Sequence, residues 1–97
     1  MAKGYVIAQI NVTDPDTYPR YVAKVQPTLD PFGGTFIVRG GQAESHEGTP
    51  PGDRHVVIEF PSFQNARDWY HSDIYAEAKA LRMSASSSVQ TIVEGVA

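Results

Sequence analysis

The sequence contains no cysteine, which excludes disulfide bonds, thiolate chemistry and cysteine-ligated metal sites. It also contains no apolar run that approaches the roughly 20 residues of a membrane-spanning helix. Its first residues, MAKGYVIAQINVTDPD, lack the long apolar core and the cleavage site of a secretory signal. We therefore expect no membrane partner and a cytoplasmic location.

Positive charge is scarce and scattered. Eight Lys and Arg residues stand against eleven Asp and Glu residues, which gives a formal net charge of −3. No basic stripe is present on which phosphates could displace counterions, so nucleic acid is not an expected partner. The histidines at 46, 55 and 71 show no HxH or HExxH spacing, and neither glycine pair stands in a strand-loop-helix context. We therefore expect no metal and no cofactor.

The length and composition predict one domain over residues 1–97, with 41% hydrophobic residues and 10% aromatic residues. A chain of this length buries only roughly 60 to 65% of its unfolded surface. Further apolar burial against a second copy would stabilise it. A homodimer is therefore expected.

Four segments show the alternation of β-strands: GYVIAQINV, TFIVR, RHVVIEF and SVQTIVEG. The first helical segment follows Asp14-Pro15 and ends at Gly33-Gly34. The second follows the capping residue Ser62, and a second capping candidate, Ser72, predicts a break in it. The order βαββαβ predicts an α+β, ferredoxin-like fold with a four-stranded antiparallel sheet of strand order 4-1-3-2 and helices on one face.

Strand parity predicts what each sheet face carries. The face under the helices is expected to hold Val6, Ala8, Ile10, Phe36, Val38, Val56, Ile58, Phe60, Val89 and Val93. The opposite face is expected to hold Tyr5, Ile7, Gln9, Asn11, Ile37, Arg39, His55, Val57, Glu59, Gln90, Ile92 and Glu94. That second face is half polar, which suits either an interface with a second subunit or the wall of a ligand pocket.

Antiparallel pairing predicts two polar groups on the mixed face. Gln9 or Asn11 should lie towards His55, with Arg39 across the hairpin, while Tyr5, Glu59 and Glu94 should gather at the opposite end. Arg39 could bind a carboxylate or an enolate bidentately, or pair with Glu47 or Glu59. His55 could act as a general acid or base beside Glu59, or lie exposed at the start of a strand.

Aromatic residues on the helical segments form the other candidate site. Tyr18, Tyr21, Trp69, Tyr70 and Tyr75 could sandwich a planar aromatic substrate, or could form ordinary core packing. The candidate catalytic residues are thus Arg39, His55 and Glu59. The candidate ligand-binding residues are Tyr5, Gln9, Tyr18, Trp69 and Tyr70.

The motifs of the chain, taken in order, resemble those of the family called domain of unknown function 1330, within the dimeric α+β barrel superfamily. They are Gly4-Tyr5, Asp14-Pro15 with Tyr18 and Tyr21, Gly33-Gly34, "VRGG" at 38–41, "EG" at 47–48, "IEFPS" at 58–62 and "WYHSDIYAEAKALR" at 69–82. The resemblance implies a ferredoxin-like protomer whose sheet packs on that of its mate. It implies no established reaction, because similar folds include cofactor-free monooxygenases, haem-binding enzymes and muconolactone isomerases.

Three functional hypotheses follow. The first is a dimeric protein that binds a small aromatic or carboxylate molecule, with a cofactor-independent monooxygenase or isomerase activity in which Arg39 binds the anion and His55 or Glu59 moves a proton. The second is a ligand-binding or sensing domain without catalysis. The third is a module whose polar face serves only dimer assembly.

Overall fold

The order of helices and strands along the chain follows the sequence prediction. The computed structural model describes residues 2–97. Its elements are β1 (Gly4–Val12), α1 (Tyr18–Leu29), a short 3-10 helix (Asp30–Phe32), β2 (Thr35–Arg39), β3 (Arg54–Phe60), α2 (Phe63–Tyr70), α3 (Asp73–Ala85) and β4 (Ser86–Glu94). The predicted break in the second helical segment is confirmed, since α2 and α3 are separate helices.

Both predicted serine caps of this region are made. The Asn65 backbone N–H donates to the Ser62 hydroxyl at 3.1 Å, and the Tyr75 backbone N–H donates to the Ser72 hydroxyl at 3.2 Å. Each hydroxyl thereby satisfies one backbone donor that the first helical turn leaves free. Gly33, with φ of 73°, ends the 3-10 helix after α1, in the left-handed conformation that glycine adopts without strain.

The four strands pair antiparallel in the order β2-β3-β1-β4, which confirms the predicted order 4-1-3-2 and the ferredoxin-like α+β fold. We call the side under the helices the inner face and the opposite side the outer face. The inner face carries Val6, Ala8, Ile10, Val56, Ile58 and Phe60, which form the core with Tyr18, Tyr21, Val25, Leu29, Ala66, Trp69, Tyr75, Ala78 and Ala85. Apolar burial of this kind is the main favourable contribution to folding.

The parity predicted for β2 is wrong beyond Phe36. Phe36 pairs with Ile58 as expected, but a bulge at Ile37 makes Val38 pair with Val57 and Arg39 with Val56. One extra residue reverses the faces of all that follow it. Val38 therefore belongs to the outer face, where it is 42% exposed, and Arg39 belongs to the inner face.

The parity predicted for β4 is wrong throughout. Its register against β1 pairs Ala8 with Gln90 and Val6 with Ile92, so both β4 residues are inner. Val89 and Val93 pair with Gln9 and Tyr5 and are outer. Glu94 pairs with Gly4 rather than joining Tyr5 and Glu59. The bare sequence of β4 has apolar residues of both parities, so pairing with β1 decides its faces.

Within residues 2–97, no helix is long and apolar enough to cross a membrane.

Candidate functional site

The main candidate site is a narrow cavity between α1 and the inner face of the sheet, which we call the slit. Its volume is about 20 Å³, enough for about one water molecule. Its walls are mostly apolar and include Val6, Ala8, Val25, Phe36, Val56 and Trp69. The slit is thus nearly filled by its own side chains.

Two arginines line the slit at the ends of β2 and β3. The Arg39 guanidinium carbon lies 4.3 Å from the centroid of the Phe36 ring, and the Arg54 guanidinium carbon lies 5.4 Å from that of Tyr18. Both distances allow a cation–π contact. Among residues 2–97, no carboxylate forms an ion pair with either arginine. These two cations therefore remain available to an anion.

Arg54 carries the clearest sign of a missing partner. Its Nε atom is buried and has no hydrogen-bond acceptor within the described chain, residues 2–97. A buried donor without an acceptor is destabilising, so native structures usually provide one. Gly40, with φ of 69°, lies against this guanidinium, and a Cβ at that position would collide with it. The turn after β2 therefore leaves room for the Arg54 head group.

A series of hydrogen-bonding groups connects a residue of the slit with the helical layer. Tyr21 lines the slit, and its hydroxyl lies 3.0 Å from the Tyr75 hydroxyl, which accepts a hydrogen bond from Arg82 Nε at 3.2 Å. Burial raises the pKa of Tyr21 well above its usual value, and the neighbouring Tyr75 adds to the effect. Burial likewise raises the pKa of Tyr75, although Arg82 opposes it. Both phenols stay neutral near pH 7, so neither is a base there.

Trp69 lines the slit from the helical layer and is 1% exposed. Its indole N–H donates to the Thr28 hydroxyl at 3.0 Å, and that hydroxyl donates to the Val25 carbonyl at 2.6 Å. Its ring centroid lies 5.5 Å from that of Phe60 and 3.9 Å from that of Tyr75. Trp69 is therefore packed as a core residue that also lines the slit.

The predicted catalytic residues do not form one site. His55 pairs with Gln9 on the outer face, as predicted, and both line a cleft of about 440 Å³ under the loop between β2 and β3. Arg39 lies on the inner face, so the expectation that it joins His55 is wrong. Glu59 shares the face of His55, but four residues along a strand separate them by about 13 Å.

Glu59 is instead part of a surface ion pair. Lys3 Nζ lies 3.1 Å from one carboxylate oxygen, and the Tyr5 hydroxyl donates to the other at 3.2 Å. The hydrogen bond from Lys3 is the main cause that holds the pKa of Glu59 below its usual value. This carboxylate is therefore ionised and already occupied by partners.

The predicted ligand-binding residues divide among three places. Tyr18 and Trp69 line the slit, whereas Tyr5 and Gln9 lie on the outer face. Tyr70 lines a separate cleft beside α3 and β4. Arg54 was missed, although its even spacing from Val56, Ile58 and Phe60 predicts the inner face for it as well.

Residues 2–97 contribute no general base to the slit. Its lining has no His, Asp or Glu side chain in the part of the chain that the structure describes, residues 2–97. Over the same residues, no group of three or more His, Asp or Glu side chains could hold a metal ion. The arrangement supports binding of an anion with an apolar body, and it offers no side chain that would abstract a proton.

The fold and the slit define a ferredoxin-like α+β domain with a cationic opening to an apolar interior. The family model described as a domain of unknown function (DUF1330) matches residues 3–96, and the chain belongs to this family. A comparison with curated proteins finds no match.

Several solved structures share the fold. A protein of unknown function from Rhodopseudomonas palustris is 19% identical with a TM-score of 0.75, over 99% of this chain and 84% of that chain. SnoaB, a cofactor-independent oxygenase from Streptomyces nogalater, is 11% identical with a TM-score of 0.66, over 100% of this chain and 96% of its own. A dimeric ferredoxin-like protein of unknown function from Thermobifida fusca is 18% identical with a TM-score of 0.60, over 95% and 92%. At these identities the likeness concerns the fold alone.

Proposed function

We propose that the protein binds a small organic acid in the slit, with its carboxylate on Arg39 and Arg54 and its apolar or aromatic body between α1 and the sheet. The observation that carries this proposal is the buried Nε–H of Arg54, which has no acceptor among residues 2–97. A carboxylate would accept from it and would also supply a counter-charge for two unpaired guanidinium groups. The apolar walls favour a ligand whose remaining surface is apolar.

Binding requires the slit to widen, because about 20 Å³ does not hold an organic acid. Helix α1 is the wall that we expect to move. Its N-cap residue Thr17 makes no side-chain cap, and Pro27 inside the helix removes one backbone hydrogen bond. Both features make α1 less stable than a regular capped helix of its length.

The test uses benzoate, with benzyl alcohol as an uncharged molecule of the same shape. Trp69 is the single tryptophan, so its indole N–H gives one resolved NMR signal that reports on the slit. Benzoate should shift this signal saturably, and benzyl alcohol should bind about tenfold more weakly or worse, because a hydrogen bond to a charged group contributes roughly 1.5 to 3 kcal/mol.

Substitutions locate the binding site. Arg54→Gln and Arg39→Gln should each weaken benzoate binding by about tenfold, while Arg67→Gln, which removes an exposed cation on α2, should leave it unchanged. Equal affinity of the wild type for benzoate and benzyl alcohol would contradict the proposal. So would an unchanged benzoate affinity in a folded Arg39/Arg54 double variant.

A second candidate is a cofactor-independent oxygenase, because SnoaB shares the fold and paired guanidinium groups would also stabilise an enolate. The lack of a carboxylate or histidine in the described lining of the slit favours binding over this activity. Oxygen consumption with an enolisable aromatic acid, lost in Arg54→Gln, would favour the oxygenase.

The outer face is proposed to pack on that of a second copy. Ile7 and Val89 are 40% and 50% exposed, and they share this face with Val57 and Val93. Adjacent exposed apolar residues of this kind mark interaction surfaces, and the similar fold from Thermobifida fusca is described as dimeric. Val89→Asp should give a folded monomer in analytical ultracentrifugation, and a wild type that sediments as a monomer would refute the dimer.

A further inference from the structure

A buried arginine, Arg82, lies between α3 and β4, at a place separate from the slit. Arg82 is 3% exposed. Its Nε donates to the Tyr75 hydroxyl at 3.2 Å, one Nη donates to Ser88 Oγ at 2.8 Å, and the other Nη donates to the Tyr70 hydroxyl at 3.5 Å. All three acceptors are hydroxyl groups and none is a carboxylate. No carboxylate in the described part of the chain, residues 2–97, forms an ion pair with it.

The Arg82 guanidinium is therefore hydrogen-bonded, but no negatively charged side chain of residues 2–97 neutralises it. A guanidinium keeps its proton in proteins, and a buried charge is normally paired with an opposite one. Arg82 stands in the last turn of α3, whose free carbonyls supply partial negative charge. The Arg82 carbonyl itself accepts a hydrogen bond from the Ser86 hydroxyl at 2.6 Å. None of these groups supplies a full negative charge.

The partners of Arg82 also have protons left to donate. Ser88 Oγ accepts from Arg82 and, at 3.1 Å, from Gln90 Nε2, so its own O–H is left to donate to a further group. The Tyr70 hydroxyl accepts from Arg82 in the same way. Within residues 2–97, neither hydroxyl proton has an acceptor. Arg82 itself uses three of its five N–H groups.

These donors meet at an open cleft of about 470 Å³, which we call the α3–β4 cleft. It is lined by Tyr70, Arg82, Met83, Ser86, Ser88 and Gln90, together with Ser87. Among residues 2–97, this lining contains one cation and no carboxylate. Hydroxyl, amide and guanidinium donors converging around an uncompensated positive charge are the chemistry that binds an oxyanion.

We propose that the α3–β4 cleft binds the oxyanion group, phosphate or carboxylate, of a small molecule. Arg82 supplies the charge, and Ser88 and Tyr70 supply neutral donors. Gln90 also lines the slit, so the two sites share one wall, but Arg39 and Arg54 do not line this cleft. The proposal does not depend on the function of the slit.

The test titrates inorganic phosphate and acetate separately, at matched ionic strength, into the Arg39→Gln/Arg54→Gln double variant. This variant removes the two arginines of the slit, so anion binding there does not contribute to the signal from the cleft. Backbone amide NMR signals of residues 86–90 should shift saturably with phosphate, with acetate or with both. The ion that binds more tightly identifies the oxyanion. Absence of saturable shifts at 86–90 with both ions would overturn the proposal.

Substitutions assign the donors. Ser88→Ala removes one hydroxyl and should weaken binding of the preferred ion by about tenfold. Arg82→Met should abolish it. The control Arg20→Gln removes an exposed cation on α1 and should leave binding unchanged. If Arg82→Met does not fold, Ser88→Ala decides. A Ser88→Ala protein that binds as tightly as its parent, or an effect of Arg20→Gln as large, would overturn the assignment.

Discussion

The two faces of the sheet differ in whether their charged side chains are paired. On the outer face, Lys3 and Glu59 pair at 3.1 Å in partial contact with water. At the margin of the inner face, Arg39 and Arg54 have no carboxylate partner among residues 2–97, and Arg82 of α3 has none there either. Paired charges on a surface contribute little and imply no ligand. The unpaired cations beside buried apolar groups are the better indication of a binding site.

The largest expected effect comes from comparing two isoleucines of β1. Ile10, on the inner face, is 3% exposed, whereas Ile7, on the outer face, is 40% exposed. Ile10→Ala should lower the free energy of unfolding by about 2 to 5 kcal/mol, because it leaves a cavity in the core. In dilute protein, where a dimer dissociates, Ile7→Ala should cost less than about 1 kcal/mol.

Urea denaturation at several protein concentrations measures both variants. A loss in Ile7→Ala that grows with protein concentration would show that the outer face is covered by a second copy. Equal losses in both variants at every concentration would remove the distinction between the faces.

A smaller effect is expected inside the helical layer, at the hydrogen bond between Trp69 and Thr28. Thr28→Val keeps the shape but leaves the buried indole N–H without its acceptor, and should cost about 1 to 3 kcal/mol. Thr28→Ser keeps the hydroxyl and serves as the matched control. Thermal unfolding that gives Thr28→Val the same stability as Thr28→Ser would contradict a role for this bond.

The smallest effect concerns Glu59 on the outer face and depends on pH. Because its pKa in the folded protein is lowered, chiefly by Lys3, the stabilisation is present above the unfolded value of about 4.5 and is lost as pH falls through the lower folded value. Glu59→Gln should therefore flatten the decline of stability below about pH 4.5. Urea midpoints between neutral and acid pH measure this slope.

Asp14 provides the comparison for that measurement. Its pKa is also lowered, by hydrogen bonds from Thr17, so Asp14 contributes to the decline of stability in the same pH range. This contribution should remain in Glu59→Gln. Asp14→Asn should remove the contribution of Asp14 to the pH dependence and leave that of Glu59. A wild-type slope that is unchanged by Glu59→Gln would show that the Lys3 pair does not act in solution.

Much of the architecture was predictable because it depends on local chemistry. Alternation predicted four strands, and the serines at 62 and 72 predicted two helix starts that the structure contains. The crossover order then limited the sheet to the arrangement that is found. The candidate site was predicted less well, since only Tyr18, Trp69 and Arg39 of the eight candidate catalytic and ligand-binding residues line the slit, joined by Tyr21 of the aromatic group.

The errors have two physical causes. The bulge at Ile37 places Arg39 on the inner face rather than the predicted outer face, and no residue in TFIVR indicates a bulge. In β4, apolar residues occur at both parities, so pairing with β1 puts Gln90 inside and Val89 outside. Both errors concern register, which depends on contacts between distant segments.

By itself, the sequence determined which segments become strands and helices, because alternation, capping residues and glycines act over a few neighbours. The order of those segments along the chain then limited how the strands could pair. Tertiary structure decided which polar side chains meet. It brought Arg54 and Arg39 to one apolar slit and buried Arg82 among hydroxyls. A shift of one residue in strand register changes the face of every side chain, and only the packed sheet fixes that register.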